Sequence, residues 1–484
     1  MIAGSVLPTP RFAWTPGRQD DEASRRSVMT QAPPAAGLPE TAELSSGEKL
    51  LWLADRPDAV PPPFFDCPPS LSIVVRLKNH LSHAALEASL AAIVRRHEGL
   101  RSAFPESDGR PVKVVMPRKQ GPLPEVDLRG LPAGRRSDLE SHVLACQVAR
   151  PFELARGPLL RASLLAVAGQ EHVLAVTVHH IVFDSWSRRV LAVELTSLYE
   201  AYATGRPARL APLAAGYRDY VRWQQRRLAG ERGRALVDYW RTRLSGLTDC
   251  VLPGEGPRPP RPSTRAGTCR FTIPSPDARR VHALSRHNRV TVATTMLAIM
   301  TLLLHRVSGT DDIAAGVPLS DRRRHEFEGL IGLFANVVVV RSAVKPGMTF
   351  LELLRQVETT LTEAYCYQDL PYGDLMRLVD AQQPLYRVVF NFLPGMQAPA
   401  IGLRGLHAEP LAIGARPRSL ADVSVHIQDT QGALACRFVY KADVFSANRI
   451  QELARQFQVL VTAVMNAPEA RLSAYDLAPP QTPR

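Results

Sequence analysis

The sequence predicts an α+β fold in two halves of comparable size, because strand and helix patterns mix in both halves without regular strand–helix–strand alternation. The strand-like stretches are short apolar runs bounded by polar residues, whereas the helix-like stretches repeat apolar residues three and four positions apart. A length of 484 residues also suits two to three domain-sized units.

The chain divides into four predicted segments. Residues 1–43 are rich in Pro, Ala, Arg and Ser, show no periodicity, and are predicted to be a disordered tail in which Met29 is a second candidate start. Residues 44–225 and 226–475 are predicted as the two folded halves, and residues 476–484 as a short C-terminal tail.

The elements of the first half follow from periodicity and capping residues. Ser45 or Ser46 is suited to cap a helix that runs through Trp52. Further strands are predicted at 71–78, 111–116, 160–167 and 171–178, and further helices at 83–100, 187–199 and 217–228.

The second half repeats this mixture after a helix at 235–244 and a Pro/Gly/Arg-rich loop at 252–267. Strands are predicted at 268–273, 311–317, 336–341, 386–392, 420–428 and 433–440, and helices at 277–287, at 291–307 and from Ser446 onward.

Composition excludes several classes of protein. The net charge of +13 suits an acidic partner, but an arginine-rich surface with solvated faces of mixed sign is the favoured interpretation of the charge alone. Aromatic residues do not interleave with the basic clusters, so a nucleic-acid partner is not expected. The best apolar stretch, 290–304, is too short to span a bilayer, and the N-terminus lacks a secretory signal. Scattered cysteines without a C-x-x-C pair argue against a zinc site or a disulfide framework and favour the cytoplasm.

Two adjacent histidines end the predicted strand 171–178, in the stretch "VLAVTVHHIVFDSWS". Because neighbouring strand residues point to opposite faces, His179 and His180 can share a cavity only if the strand has ended, which disfavours a metal site. One interpretation is a pair of core histidines followed by a capping Asp184. The favoured interpretation is catalytic: one imidazole lies in a reaction channel, and because its pKa is near neutrality it can accept and return a proton.

The motif "HHIVFDSWS" resembles the H-H-x-x-x-D-G-x-S core of nonribosomal peptide synthetase condensation domains, which belong to the chloramphenicol acetyltransferase-like superfamily. Further stretches resemble other motifs of that family, in the family's order, over about residues 44–470. They are "LSSGEKLLWL", "RHEGLRSAF", "YRDYVRW", "IGLFANVVVVR", "YQDLPYGDLMRLV" and "PLYRVVFNF". Trp186 precedes Ser187, as in condensation rather than epimerization domains, and His179 differs from the aspartate of heterocyclization domains.

The resemblance implies two acetyltransferase-like lobes arranged as a V with a central tunnel. A donor acyl group would enter from one face as a phosphopantetheine thioester on a carrier protein, and an amine or hydroxyl acceptor from the other. His180 would be the catalytic residue that positions the acceptor and takes its proton. Asp184 would pair with an arginine of the second half, at the matching position Arg322 with Arg323 as the alternative, in a structural role that His179 shares.

The resemblance also assigns lining residues. Ser185 stands where the family has glycine, whose backbone N–H is suited to the thioester oxygen; serine keeps the N–H and adds a Cβ. Asn391 resembles a site-lining asparagine whose amide could order the acceptor, and the alternative is a polar residue at the edge of a sheet. Trp186 either lines the tunnel or packs in the core, and the core is favoured.

The expected activity is amide formation in natural-product biosynthesis. No carrier motif or adenylation signature is found, so we expect a free-standing enzyme with a separate acyl-loaded carrier protein, no bound cofactor and no metal. Two alternatives remain open: an ester-forming acyltransferase with a carrier or coenzyme A donor, and a noncatalytic domain that docks carriers or partner enzymes.

Overall fold

A computed structural model describes residues 40–56, 69–117, 123–254, 258–259, 263–379, 384–393, 401–411, 418–430 and 432–477. Most of the predicted N-terminal tail (1–39), most of the C-terminal tail (478–484) and parts of the predicted loop 252–267 lie outside these residues. Residues 40–42, which the sequence assigns to the tail, instead form a strand that pairs with residues 113–115.

The first half contains nine strands and five helices among its described residues. The strands are β1 (Glu40–Ala42), β2 (Ser70–Lys78), β3 (Ser102–Ala103), β4 (Glu106–Ser107), β5 (Arg110–Pro111), β6 (Lys113–Val115), β7 (Glu125–Asp127), β8 (Leu160–Ala168) and β9 (Glu171–His179). The helices are α1 (Ser46–Ala54), α2 (His83–Arg96), α3 (Ala133–Ala149), α4 (Ser185–Thr204) and α5 (Tyr217–Ala229).

The second half contains seven helices and seven strands among its described residues. The helices are α6 (Glu231–Leu244), α7 (Ser275–His287), α8 (Val292–Ser308), α9 (His325–Glu328), α10 (Phe350–Cys366), α11 (Tyr372–Leu378) and α12 (Ala447–Asn466). The strands are β10 (Ala266–Ile273), β11 (Asp312–Ser320), β12 (Ala335–Ala343), β13 (Val388–Leu393), β14 (His407–Pro410), β15 (Val423–Asp429) and β16 (Leu434–Lys441).

Strand β9 lies at the centre of a five-stranded sheet in the order β14-β2-β9-β8-β7. Its side chains alternate between two apolar layers, as a strand period of two requires. Leu174 and Val176 join the cluster formed with α2 and α4, whereas Val173 and Ala175 join the cluster that includes Leu144 of α3. Because both faces are buried, β9 is a continuous apolar run that ends at His179.

The second half contains a six-stranded sheet in the order β10-β16-β15-β13-β11-β12. Helix α8 packs beside it, and every residue from Thr294 to Leu304 is buried. Such a helix is apolar on all sides because it lies inside the core. Among the described helices, none alone is long and apolar enough to cross a membrane; α7 and α8 pass that test only as a pair, and they are bent by 107°.

Further features of the fold also differ from the sequence prediction. Strand β14 belongs by sequence to the second half but pairs with β2 at the edge of the first sheet, so the second half contributes one strand to the sheet of the first half. Helices α3, α9, α10 and α11 and strands β3, β4 and β7 were not predicted, although Thr349 and Glu352 form a capping box at the start of α10 that is visible in the sequence.

Candidate active site at the end of strand β9

The end of β9 separates the two histidines. His179 is the last residue of the strand, and His180 opens a single 3₁₀ turn, His180–Val182. The backbone N–H of His180 donates to the carbonyl of Pro69 at 2.8 Å, and its own carbonyl accepts from the N–H of Phe183 at 3.1 Å. The turn therefore gives the two imidazoles different surroundings.

The His179 ring fixes this turn from the inside. Its Nδ1 accepts a hydrogen bond from the N–H of Ile181 at 3.1 Å, and the ring meets Phe152 edge-on at 5.8 Å. Because Nδ1 accepts, a neutral ring carries its proton on Nε2. That nitrogen is buried and lies 3.9 Å from Oδ1 of Asp55, a residue that no sequence pattern connects to the histidines.

The His180 side chain is nearly enclosed by protein, with 4% of the residue exposed. Desolvation lowers the pKa of His180 to about 4, and the nearby Asp184 carboxylate opposes that shift only in part. The imidazole is therefore neutral at physiological pH and free of the positive charge that would prevent it from accepting a proton. The expected projection into an open tunnel stays a prediction.

The lowered pKa of His180 predicts a pH dependence of the free energy of unfolding. In an unfolded chain histidine titrates near pH 6.5, whereas folded His180 stays neutral down to about 4. Between these values the unfolded state binds more protons than the folded state. The contribution of His180 to the free energy of unfolding is therefore complete above about pH 6.5 and is lost as the pH falls from there through about 4. We expect a loss on the order of 3 kcal/mol from this residue.

Urea denaturation at a series of pH values measures this effect. The His180→Gln variant, which does not titrate, should show a shallower acid loss of stability than the wild type. Identical slopes in the two proteins would contradict the lowered pKa.

Asp184 closes the motif as the N-cap of α4. Its Oδ1 accepts from the N–H of Ser187 at 2.7 Å, and its Oδ2 accepts from the N–H of Phe334 at 3.1 Å. Arg322 donates through Nη2 to both carboxylate oxygens, at 3.1 and 3.3 Å. The carboxylate is therefore buried with every oxygen satisfied, and its cation is Arg322.

Both terminal nitrogens of the Arg322 guanidinium donate hydrogen bonds, whereas its buried Nε has no partner among the described residues. Its Nη1 donates to the carbonyls of Phe327 and Leu330 at 2.7 and 2.8 Å, and its guanidinium lies 3.7 Å from the centre of the Phe334 ring. Arg323 contacts Asp321 and Asp369 instead. The Asp184–Arg322 pair thus fastens the start of α4 to the segment between β11 and β12.

Ser187 is a further member of this network, and the sequence alone suggested no role for it. Its side chain is buried; Oγ donates to the carbonyl of Gly332 at 2.8 Å and accepts from Arg322 Nη2 at 2.9 Å. The N–H of Gly332 also lies 3.0 Å from this oxygen. The available signal was its spacing, because a residue three positions after an N-cap donates its N–H to the cap.

Ser185 occupies the first turn of α4 and is exposed. Its backbone is right-handed helical; the non-glycine residues of the described chain with left-handed φ are Asn79, Asp108 and Arg289. Serine therefore meets no backbone strain at the position where the family has glycine.

The Ser185→Gly variant should accordingly change the free energy of unfolding by less than about 1 kcal/mol, the cost of glycine in a helix. Urea denaturation of the two proteins checks this expectation. A gain in stability of more than about 1 kcal/mol would show that serine is strained here.

Trp186 does not pack in the core, so the favoured sequence interpretation was wrong. It keeps 37% exposure, because its indole lies across the surface and donates from Nε1 to the carbonyl of Glu328 at 2.8 Å. The guanidinium of Arg189 lies 5.8 Å from the centre of its ring. The residue joins α4 to α9 at the surface.

Asn391 lies on β13, in the sheet of the second half. Its Nδ2 is 3.4 Å from Nδ1 of His426, its register partner on β15. The structure therefore assembles His179, His180, Asp184 and Arg322 around one turn and places Asn391 beside a different histidine. Within the described ranges, no group of three or more His, Cys, Asp or Glu side chains is arranged to hold a metal ion.

Comparison with known proteins identifies the family. The condensation domain family matches residues 70–484. A linear gramicidin synthase protein from Brevibacillus parabrevis is 34% identical over 470 residues, which is 96% of this chain and 6% of that protein. The chain thus spans a small part of the length of this curated relative.

Solved structures agree with this assignment. The X-domain in the complex of the X-domain and OxyB from teicoplanin biosynthesis has a TM-score of 0.80 at 28% identity, covering 93% of this chain and 99% of that one. The first condensation domain of the calcium-dependent antibiotic synthetase, in complex with a substrate analogue, has a TM-score of 0.74 at 20% identity, covering 90% and 99%. The latter likeness shows the fold alone.

These matches confirm the α+β fold with two chloramphenicol acetyltransferase-like lobes. The motif order, the buried Asp184–Arg322 pair and the family match agree. The chain belongs to the condensation domain family of nonribosomal peptide synthetases.

Proposed function

We propose that the protein transfers an acyl or aminoacyl group from a phosphopantetheine thioester on a carrier protein to an amine, forming an amide bond. The observation that carries this proposal is a neutral imidazole, His180, on a turn that is held on both sides. The His179 side chain accepts a hydrogen bond from Ile181 within the turn, and the ion pair of Asp184 with Arg322 fixes the chain directly after the turn.

The chemical step needs one proton acceptor. The amine nitrogen attacks the thioester carbonyl carbon, His180 takes a proton from that nitrogen, and a tetrahedral intermediate forms. Its collapse breaks the C–S bond, and the proton leaves with the thiol of the phosphopantetheine arm. Ser185 retains the backbone N–H that a glycine would offer to the carbonyl oxygen.

The low basicity of His180 favours an amine over a hydroxyl acceptor. A neutral amine attacks without prior deprotonation, so positioning and a transient proton acceptor suffice. A hydroxyl needs a true base, and a histidine whose pKa is lowered to about 4 is a weak one. Ester formation is therefore the less favoured reaction.

Noncatalytic docking is the second candidate function. Two observations favour it: the 4% exposure of His180, and the likeness to an X-domain that was solved in complex with OxyB. In such a role the Asp184–Arg322 network would serve the fold alone, and the basic chain, with its net charge of +13, would bind an acidic carrier or a partner enzyme.

One experiment separates these candidates. The protein is incubated with a separately supplied acyl-loaded carrier protein and a panel of amines and alcohols, and products and carrier are weighed by mass spectrometry. An acyl amide that forms only when the protein is present supports the proposal. Ester products would instead support the alternative, an ester-forming acyltransferase. Carrier binding with no product from any acceptor would favour docking.

A further inference from the structure

The His179 imidazole has one nitrogen in a hydrogen bond and one without a partner among the described residues. Nδ1 accepts from the N–H of Ile181 at 3.1 Å, so a neutral ring carries its proton on Nε2. That N–H is enclosed by protein, because only 4% of the His179 side chain is exposed. A buried donor without an acceptor is costly, so an acceptor is expected close by.

Asp55 provides a carboxylate beside this N–H. Its Oδ1 lies 3.9 Å from His179 Nε2, which is about 1 Å beyond hydrogen-bond distance. The Asp55 side chain is 37% exposed, so it can change rotamer without displacing a packed core. A small rotation of this side chain therefore closes the gap, whereas the buried imidazole is held in place by its bond to Ile181.

The other groups near Asp55 leave its carboxylate available to His179. The adjacent cation, Arg56, contacts Glu106 at 3.5 Å, and its guanidinium lies 5.1 Å from the centre of the Trp52 ring. Asp55 is also the C-cap of α1, where the last helix carbonyls repel a negative charge. The carboxylate thus gains nothing from its own helix and is attracted to a donor outside it.

This contact leads directly to the turn that carries His180. Helix α1 packs against the turn His180–Val182. A carboxylate that accepts the Nε2–H makes the opposite ring nitrogen a stronger acceptor, and it fixes the tautomer in which that nitrogen is unprotonated. The bond from Ile181 to His179 is strengthened in consequence, and Ile181 is the residue that follows His180.

We propose that Asp55 is a positioning residue for acyl transfer: its carboxylate closes on the His179 Nε2–H and, through the bond of His179 to Ile181, holds the turn that aims His180 at the acceptor. Asp55 touches no reactant and acts through the His179 ring alone. The inference rests on the proposed acyl transfer, and it adds the end of α1 to the elements that set the position of His180.

The kinetic test measures acyl transfer from a loaded carrier to an amine by the wild type and by Asp55→Ala. We expect kcat to fall by about 10- to 100-fold, the range for a lost hydrogen bond to a charged group. The KM of each reactant should change little, because Asp55 contacts neither of them. Asp55→Asn, whose amide oxygen still accepts the Nε2–H, should recover part of the loss. Asp238→Ala, at a side chain that is 74% exposed, is the matched control and should behave like the wild type.

A double-variant comparison shows whether Asp55 acts through His179. In a His179→Gln background, Asp55→Ala should cause little further loss of kcat, because the ring that transmits its effect is already gone. A residue that merely supports the end of α1 would lower kcat by the same factor in both backgrounds. Equal factors in the two backgrounds would therefore overturn the inference.

Proton NMR of protein with isotope-labelled histidines tests the contact independently of turnover. The signal of the His179 Nε2–H proton should move upfield in Asp55→Ala, since it loses a hydrogen bond to a carboxylate, and should stay in place in Asp238→Ala. If the wild type forms no product yet shows this shift, the proposed function fails and the contact stands. Wild-type kinetics of Asp55→Ala in an active protein would overturn the inference and leave the proposed function in place.

Discussion

Replacing Asp184 with alanine should lower the free energy of unfolding by about 3–5 kcal/mol, because it leaves the Arg322 guanidinium buried without its carboxylate. The loss also removes the N-cap of α4 and the acceptor for the Phe334 N–H. Urea denaturation measures the change, and Asp184→Asn, which keeps a capping oxygen, provides a milder variant if the alanine protein does not fold.

An exposed pair of the same chemistry is the control. Asp238 and Arg241 lie 3.4 Å apart with side chains 74% and 61% exposed, so Asp238→Ala should cost less than about 1 kcal/mol. Replacing Asp184 and Arg322 together with apolar residues should cost less than the sum of the two single changes. An Asp184→Ala protein with wild-type stability would contradict the assigned role.

Replacing His180 with glutamine should slow acyl transfer by about 10²- to 10⁴-fold while the protein stays folded at neutral pH, because glutamine cannot accept the acceptor's proton. Single-turnover transfer from an acyl-loaded carrier measures this rate without interference from product release. His179→Gln is the paired variant, since that side chain fixes the turn and takes no proton from a reactant.

The His179→Gln variant should therefore mainly lose stability, whereas the His180→Gln variant should mainly lose catalytic rate. His179→Gln should lower stability through loss of the Nδ1 hydrogen bond to Ile181, and should lower the rate only as far as the turn shifts. A His180→Gln protein that transfers acyl groups at the wild-type rate would remove the proton-acceptor role.

Strand and helix periodicity predicted much of the framework, because most of its elements bury one face or lie in continuous apolar layers. The run before His179 is a buried strand in both the prediction and the structure. The pairing of β14 with β2 in the first sheet was not predictable, since the sequence of His407–Pro410 does not indicate which strand it pairs with. Pairing between distant strands depends on the whole fold and not on local sequence.

At the site, too, the sequence predicted some residues, whereas the positions of others depend on the whole fold. The resemblance gave Arg322 as the partner of Asp184, with Arg323 as the alternative, and the structure places Arg322 there, while Arg323 contacts Asp321 and Asp369. Trp186 was misplaced in the core because its apolar ring suggests burial, whereas its indole N–H donates to the carbonyl of Glu328 at the surface. Asp55 was missed because nothing near residue 55 indicates that His179 will be its neighbour.

The role of His180 can be observed in a structure of the protein with a carrier-tethered, non-hydrolysable thioester analogue and an amine acceptor analogue. We expect the acceptor nitrogen to lie within hydrogen-bond reach, about 2.6–3.2 Å, of a ring nitrogen of His180. A complex in which the carrier is docked while protein still covers the His180 ring, with no reactant touching it, would contradict the proposed acyl transfer.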